Sequence, residues 1–303
     1  MLLARFFRFF RHLNWATLRK TSARVGERRL MGLSAEMAYN AMLALFPAIL
    51  AVLTAIGLFP SLKSTFEQLA AQLSRVAPRE AENLIRGFAH ELTDSQNQGL
   101  FSISFVAAIW ASSGAVSAAM AALDQIHQIP PGQVRPFWKA KLVSLGLTIG
   151  TLVLLITASF LVFISELIVK LVVGESGLSI LWSLWRLLSW PLALAIIALG
   201  CAFIYRYGPS RWKKGTPIMP GAILAAVAWA NISALFRLYV SNFGNYNKAY
   251  GAVGAVIVLM LWLYMTSLVL LIGDQLNVTV GEAMRQKVKG AALEPSEVPE
   301  SLE

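Results

Sequence analysis

Six stretches of this chain carry no aspartate, glutamate, lysine or arginine for nineteen residues or more, and this constrains the fold more than any other feature. They are Met37–Leu62, Ser95–Leu123, Leu142–Ser165, Leu187–Tyr205, Ile218–Phe236 and Ala252–Gly273. A helix of about 20 apolar residues crosses a hydrocarbon core roughly 30 Å thick. Lipid offers the backbone no partners, so each crossing must be a helix that closes its own hydrogen bonds. Composition agrees: 57% of residues are hydrophobic, 14% are charged and the mean hydropathy is +0.62. Soluble domains carry about 45–50% apolar and 25% charged residues. The expected fold is therefore all-α, a polytopic transmembrane bundle of six spans near 37–59, 100–123, 142–165, 187–205, 218–236 and 252–273.

The loops sort the basic residues by side. The segment before the first span and the loops after spans two, four and six hold 18 of the 26 lysines and arginines. Positive residues mark the cytoplasmic face, so both termini are expected inside, in agreement with six crossings. The net charge of +10 is then a topology signal, and no nucleic-acid partner is expected. Membrane lipids are the expected partners, with a second copy of the chain or an envelope protein as further candidates.

Three segments flank or interrupt the spans. Residues 1–30 form a basic cytoplasmic segment; in "MLLARFFRFFRHL", Arg5, Arg8 and Arg11 alternate with phenylalanines. As a helix it would lie in the headgroup region with its arginines toward anionic lipid. Residues 60–95 are expected to form an outer insert of two short amphipathic helices, since Phe66, Leu69 and Leu73, then Leu84, Phe88 and Leu92, recur at helical spacing. Residues 31–283 make the membrane domain, and 284–303 are expected to be a disordered cytoplasmic tail.

Ionisable groups within spans are the functional candidates. Glu36, Asp124, Arg206 and Asp274 fall at the cytoplasmic ends of spans one, two, four and six and converge on one layer. Ser267, Asp274 and Asn277 share a face of the last helix, and Glu36, Asn40 and Pro47 share a stripe on the first. Such stripes are expected to turn inward, toward a wet cavity or as interhelical caps. In the outer half Glu166 and Arg237 are a candidate pair. Gly251, Gly254 and Ala255 would let another helix approach closely. Pro47 is a candidate hinge or static bend. Asn231 and Ser233 are expected to make interhelical hydrogen bonds, and Cys201 to be a buried small hydrophobe.

Enzyme signatures are poor. The histidines are His12, His90 and His127 only, and no metal-binding or nucleophile motif accompanies them. No metal, no cofactor and no catalytic residue is expected.

Three stretches carry a family resemblance: "LSAEMAYNAMLALFPAILAVLTAIGLF", "RPFWKAKLVSLGLTIG" and "YGAVGAVIVLMLWLYMTSLVLLIGDQLN". With their order and spacing, they resemble the YihY/BrkB family of bacterial inner-membrane proteins over residues 20–285. Members usually end the last motif Gly-Ala-Glu-x-Asn, whereas here Gly273 is followed by Asp274, Gln275, Leu276 and Asn277. The acid stands one position earlier, about 100° around the helix. The resemblance implies an inner-membrane location and an old ribonuclease BN label, which the lack of metal ligands in the sequence opposes. It also implies a role in moving lipid or envelope components. The leading expectation is a translocator of lipid or another amphiphile; the alternative is a non-transporting scaffold, and a ribonuclease comes third.

Overall fold

The computed structural model describes residue 9 and residues 14–58, 98–154, 179–213, 215–242 and 246–293. The described residues form helices α1 (Trp15–Glu27), α2 (Leu30–Leu58), α3 (Gln98–Ile126), α4 (Phe137–Leu154), α5 (Ser179–Tyr207), α6 (Met219–Asn242) and α7 (Tyr246–Leu293), with a 3-10 turn at Pro131–Gln133. No strand occurs among them.

Within these helices, Val106–Ile126, Phe137–Leu154, Met219–Tyr239 and Val256–Gln286 are long and apolar enough to cross a membrane. Pro191–Tyr207 is a shorter apolar stretch of α5. The outer insert at 60–95, Glu166 and the tail beyond Leu293 lie outside the described residues.

Each connection near the site has a local cause. Asn14 caps α1, its Oδ1 accepting from the Thr17 amide at 2.9 Å and the Thr17 hydroxyl at 2.8 Å. Arg29, at φ 52°, turns the chain from α1 into α2. Beyond α3 the Gln128 amide bonds the Gln125 carbonyl and the Ile129 amide bonds the Asp124 carbonyl, with Gln128 at φ 52°. This is a Schellman ending with glutamine in the place usually held by glycine.

α2 and α3 pack along each other, α5 packs on α6, and α7 touches α1, α2, α3 and α6. The tightest core gathers at one end of the bundle. Leu30, Leu33 and Met37 of α2 meet Ala122, Leu123 and Ile126 of α3, Tyr205 of α5, Ala222 of α6 and Leu271 and Val278 of α7. Cys201 is partly buried against this cluster. We call this the basic end, because Arg24, Arg28 and Arg135 stand there.

Two sequence expectations change. The last helix does not close at Asp274; it runs without a break to Leu293, through the first ten residues assigned to the tail. Glycine next to a polar run reads as an ending, but here each polar side chain finds a partner on a neighbouring helix, so the ladder continues. Glu36 does not turn inward: it is exposed on α2, on the side of Met31, Tyr39 and Leu43. The inward side is Leu30, Leu33, Ser34, Met37 and Ala38.

Candidate functional site

From Gly273 to Gly281 every residue of α7 is buried. A helix enclosed on all sides is ordinarily apolar all round, yet this stretch holds Asp274, Gln275, Asn277 and Thr279, each at most 1% exposed. Buried polar groups persist where they are hydrogen-bonded, and three neighbouring elements supply the partners.

Toward α6, Asn277 Oδ1 accepts from the Gly221 amide at 2.9 Å while its Nδ2 donates to the Ile218 carbonyl at 3.0 Å. A side chain on Gly221 would run into that amide group. Gly273 is equally constrained, because a Cβ there would lie 2.5 Å from the Tyr205 hydroxyl and 2.8 Å from the Gly221 carbonyl oxygen. That hydroxyl donates to the Leu270 carbonyl at 2.7 Å.

Toward α1, the Arg28 guanidinium donates to Gln275 Oε1 at 2.9 Å and to the carbonyl of Ile126 at the end of α3. Gln275 Nε2 donates to Thr279 Oγ1 at 3.0 Å. Arg24 reaches Thr279 Oγ1 at 3.3 Å and Glu282 Oε2 at 2.6 Å, and Lys20 stands 3.8 Å from the same carboxylate oxygen. Phe9, fully buried, lies against Leu276 and Val280.

Toward α3, His127 Nε2 lies 2.9 Å from Asp274 Oδ2. The ring of His127 also packs on Trp212 with centroids 5.4 Å apart, and Arg206 stands over that indole at 5.4 Å. Asp274 Oδ1 has no hydrogen-bond partner among the described residues. Among the described residues, the buried carboxyl group is thus held through Oδ2.

A second constellation sits beside the first. Asp124 accepts from the Ser210 amide and the Ser210 hydroxyl, both at 2.6 Å. Arg135 donates to the carbonyls of Tyr207 at 3.1 Å, Gly208 at 2.7 Å and Pro209 at 2.6 Å. It therefore closes the carbonyl end of α5, where helix acceptors lack intrahelical partners. Burial draws the Arg135 guanidinium below its ordinary value, with Asp124 opposing. Burial and then neighbouring Arg24 do the same at Arg28, where Glu282, Glu27 and Asp274 oppose. Both remain cations in this setting.

Asp124 and Ser210 also line an open groove of about 400 Å³. Met120, Ala121, Ile129, Val134 and Ala140 contribute apolar lining, and Gln125 and Gln128 line it as well. An apolar cleft with a few converging polar groups is the usual form of a small-molecule site.

Of the residues singled out in the sequence, Asp274 and Asn277 lie in the enclosed stretch and Asp124 lies beside it. Ser267 is buried two turns earlier on α7, and Arg206 is exposed above Trp212. Glu36 is apart from them, and Asn40, half-buried, donates to the Glu36 carbonyl of its own helix at 2.9 Å. Arg237 is exposed, and its candidate partner Glu166 is not described. Gly254 is buried, whereas the side-chain surroundings of Gly251 and Ala255 are not described. α2 runs on through Pro47. Ser233 accepts from Trp262 across α6 and α7 at 3.4 Å, but Asn231 bonds the Val227 carbonyl of its own helix.

His127, Gln275, Arg28 and Arg135 were not singled out as site residues. The available signal was position: His127 follows Asp124 by three residues and therefore shares the layer of Asp274. Arg28 and Arg135 were counted as topology charges, although each lies one or two residues from a helix end.

The virulence factor BrkB family model matches residues 21–297. The ribonuclease-like protein YfkH of Bacillus subtilis is 31% identical over 80% of this chain and 87% of its own length. A UPF0761 membrane protein of Alteromonas mediterranea is 34% identical over 36% of each chain. One of Xanthomonas oryzae pv. oryzae is 24% identical over 82% of this chain, which spans 56% of that relative's length. No solved structure matches.

Proposed function

We propose a function for a chain that belongs to the virulence factor BrkB family: translocation of a lipid or another amphiphile across a membrane. The observation that carries this reading is the groove beside Asp124. Its lining combines alkyl side chains with a few polar groups, the pairing that an amphiphile brings. It is lined by residues from the end of α3 and the start of α4, two helices apolar enough to cross a membrane. The exposed Phe137 and Trp138 at the start of α4 suit the headgroup level, where aromatic side chains gather.

In this reading the protein sits in the bacterial cytoplasmic (inner) membrane with six spans, both termini inside and the insert 60–95 outside. The basic end then faces the cytoplasm. Lipids are its partners, with a second copy or an envelope protein as further ones, and no covalent chemistry, metal or cofactor is proposed.

A scaffold is the second reading, favoured by one observation. Asp124 and Arg135 direct their hydrogen bonds to Ser210 and to backbone carbonyls. The ribonuclease-like name of the Bacillus relative supplies a third reading, for which no group of residues here is proposed as catalytic.

The test is transbilayer movement of fluorescent phospholipid in liposomes holding the purified protein. Ala121→Trp, which fills the groove, is expected to slow it. No movement above empty liposomes, with the protein folded and inserted, would turn the reading to a scaffold or a different cargo.

A further inference from the structure

α1 is docked in the reverse sense to most surface helices, which bury an apolar stripe. It turns Thr17, Thr21 and Arg24 inward and leaves Trp15, 81% exposed, Leu18 and Arg19 on the open side. What it covers on α7 is polar as well: Gln275, Thr279 and Glu282, which follow one another at spacings of four and three along one face. Val25, near the junction with α2, is its partly buried hydrophobic residue packed against the main core.

The hydrogen bonds and ion pairs between these helices run from Arg24 and Lys20 to Thr279 and Glu282, groups that water can also solvate. An apolar face would resist separation far more. One carboxylate, Glu282, serves two cations on α1: Arg24 at 2.6 Å and Lys20 at 3.8 Å. The Lys20 side chain is 47% exposed, so other anions can reach it. Beyond Glu27 the chain turns through Arg28 and Arg29, the latter at φ 52°, before α2 begins. That break lets α1 move without bending a continuous helix.

Phosphate offers arginine and lysine the same chemistry as a carboxylate. A membrane surface presents phosphate where an exposed tryptophan and arginine would lie. We infer that α1, anchored ahead by the buried Phe9 and behind by Arg28, is a movable cover over the polar stripe of α7, tethered between those anchors by Glu282 and released when phosphate groups of anionic lipid take Lys20 and Arg24 from it. This does not depend on which cargo, if any, the protein moves.

The test uses the full chain in nanodiscs, with Cys201→Ala removing the native thiol and Thr279→Cys placing one beneath the cover. The rate of modification by a water-soluble maleimide is measured. It is expected to be slow in zwitterionic lipid and to rise about tenfold with Glu282→Gln, as loss of a charge-assisted hydrogen bond implies. A similar rise is expected when anionic phospholipid is included. Leu271→Cys, in the core, should stay unmodified throughout, and modification there in step with position 279 would mean general loosening and overturn the inference. Equal rates at position 279 in all samples would make α1 a fixed part of the bundle. Inorganic phosphate added to zwitterionic nanodiscs separates the two anion sources, and opening by it alone would overturn the lipid trigger. Hydrogen exchange of the unsubstituted protein provides a second readout that needs no cysteine. Residues 15–27 should exchange faster than residues 30–44 and faster still with anionic lipid; the reverse order would overturn the cover.

Discussion

His127 and Asp274 stand 2.9 Å apart across 147 residues of sequence, joining the end of α3 to the middle of α7. Neither has more than 1% of its surface exposed. Such a pair is worth little when whole and much when half removed, because the surviving partner is stranded away from water. His127→Leu is therefore expected to destabilise the protein by about 1–3 kcal/mol, whereas the double change His127→Leu with Asp274→Leu costs distinctly less than the two single changes together. Thermal unfolding in detergent, run as a double-mutant cycle, checks the sign. Additive costs would mean that the contact carries no coupling.

Asn277 and Gly221 should show the same dependence for a steric reason. Asn277→Ala loses its bonds to Gly221 of α6 and to the Ile218 carbonyl just ahead of that helix, and strands the Gly221 amide, for about 2–3 kcal/mol. Gly221→Ala drives a methyl group into the Asn277 amide. Once Asn277 is alanine that obstacle is gone, so the double substitution should be milder than the sum of the two. Denaturation midpoints of the four proteins decide it.

Gln128 holds a left-handed conformation that glycine adopts without strain. Gln128→Gly should raise stability by up to about 1 kcal/mol, seen as a higher melting temperature. A fall would show that the exposed glutamine side chain contributes more than its backbone costs.

Arg135 closes three carbonyls with one planar group. Lysine keeps the charge but cannot reproduce that fork. Arg135→Lys is expected to cost at least about 1.5 kcal/mol and to loosen residues 207–210. Faster hydrogen exchange over that turn is the measurement; an unchanged turn would show that Asp124 and Ser210 hold it alone.

How much of this was legible in the sequence depended on the medium. Charge-free runs announce helices whatever surrounds them: the expected span 100–123 falls inside α3, and 218–236 falls inside α6 but for its first residue. Facing is different, because lipid and core are both apolar and a membrane helix has no polar side to point outward. On α2, Met31, Tyr39 and Leu43 face out while Leu33, Met37 and Ala38 face in. Nothing in residue type separates the two sets, so Glu36 could be assigned inward on its charge alone.

The polar layer was half legible for a related reason. Asp274 and Asn277 stand out against an apolar run, but their partners lie in segments where polar residues are ordinary. His127 follows a helix end, Gly221 offers only its amide, and Arg28 belongs to a basic stretch. Pairings of this kind depend on which helix ends meet in space, and the order of helices within the bundle is not written in any one of them.

α7 has a mechanical consequence. Its 48 residues form one uninterrupted helix, about 72 Å from end to end at the usual rise per residue. A bilayer core takes up roughly 30 Å of that. The enclosed stretch around Asp274 acts as a bearing, gripped on every side, and the helix projects beyond it to Leu293 like the handle of a lever. A tilt imposed on the stretch beyond Gly281, where Glu282 meets Arg24 and Arg285 meets Thr216, would be delivered through the bearing to the membrane-crossing part of the same rod.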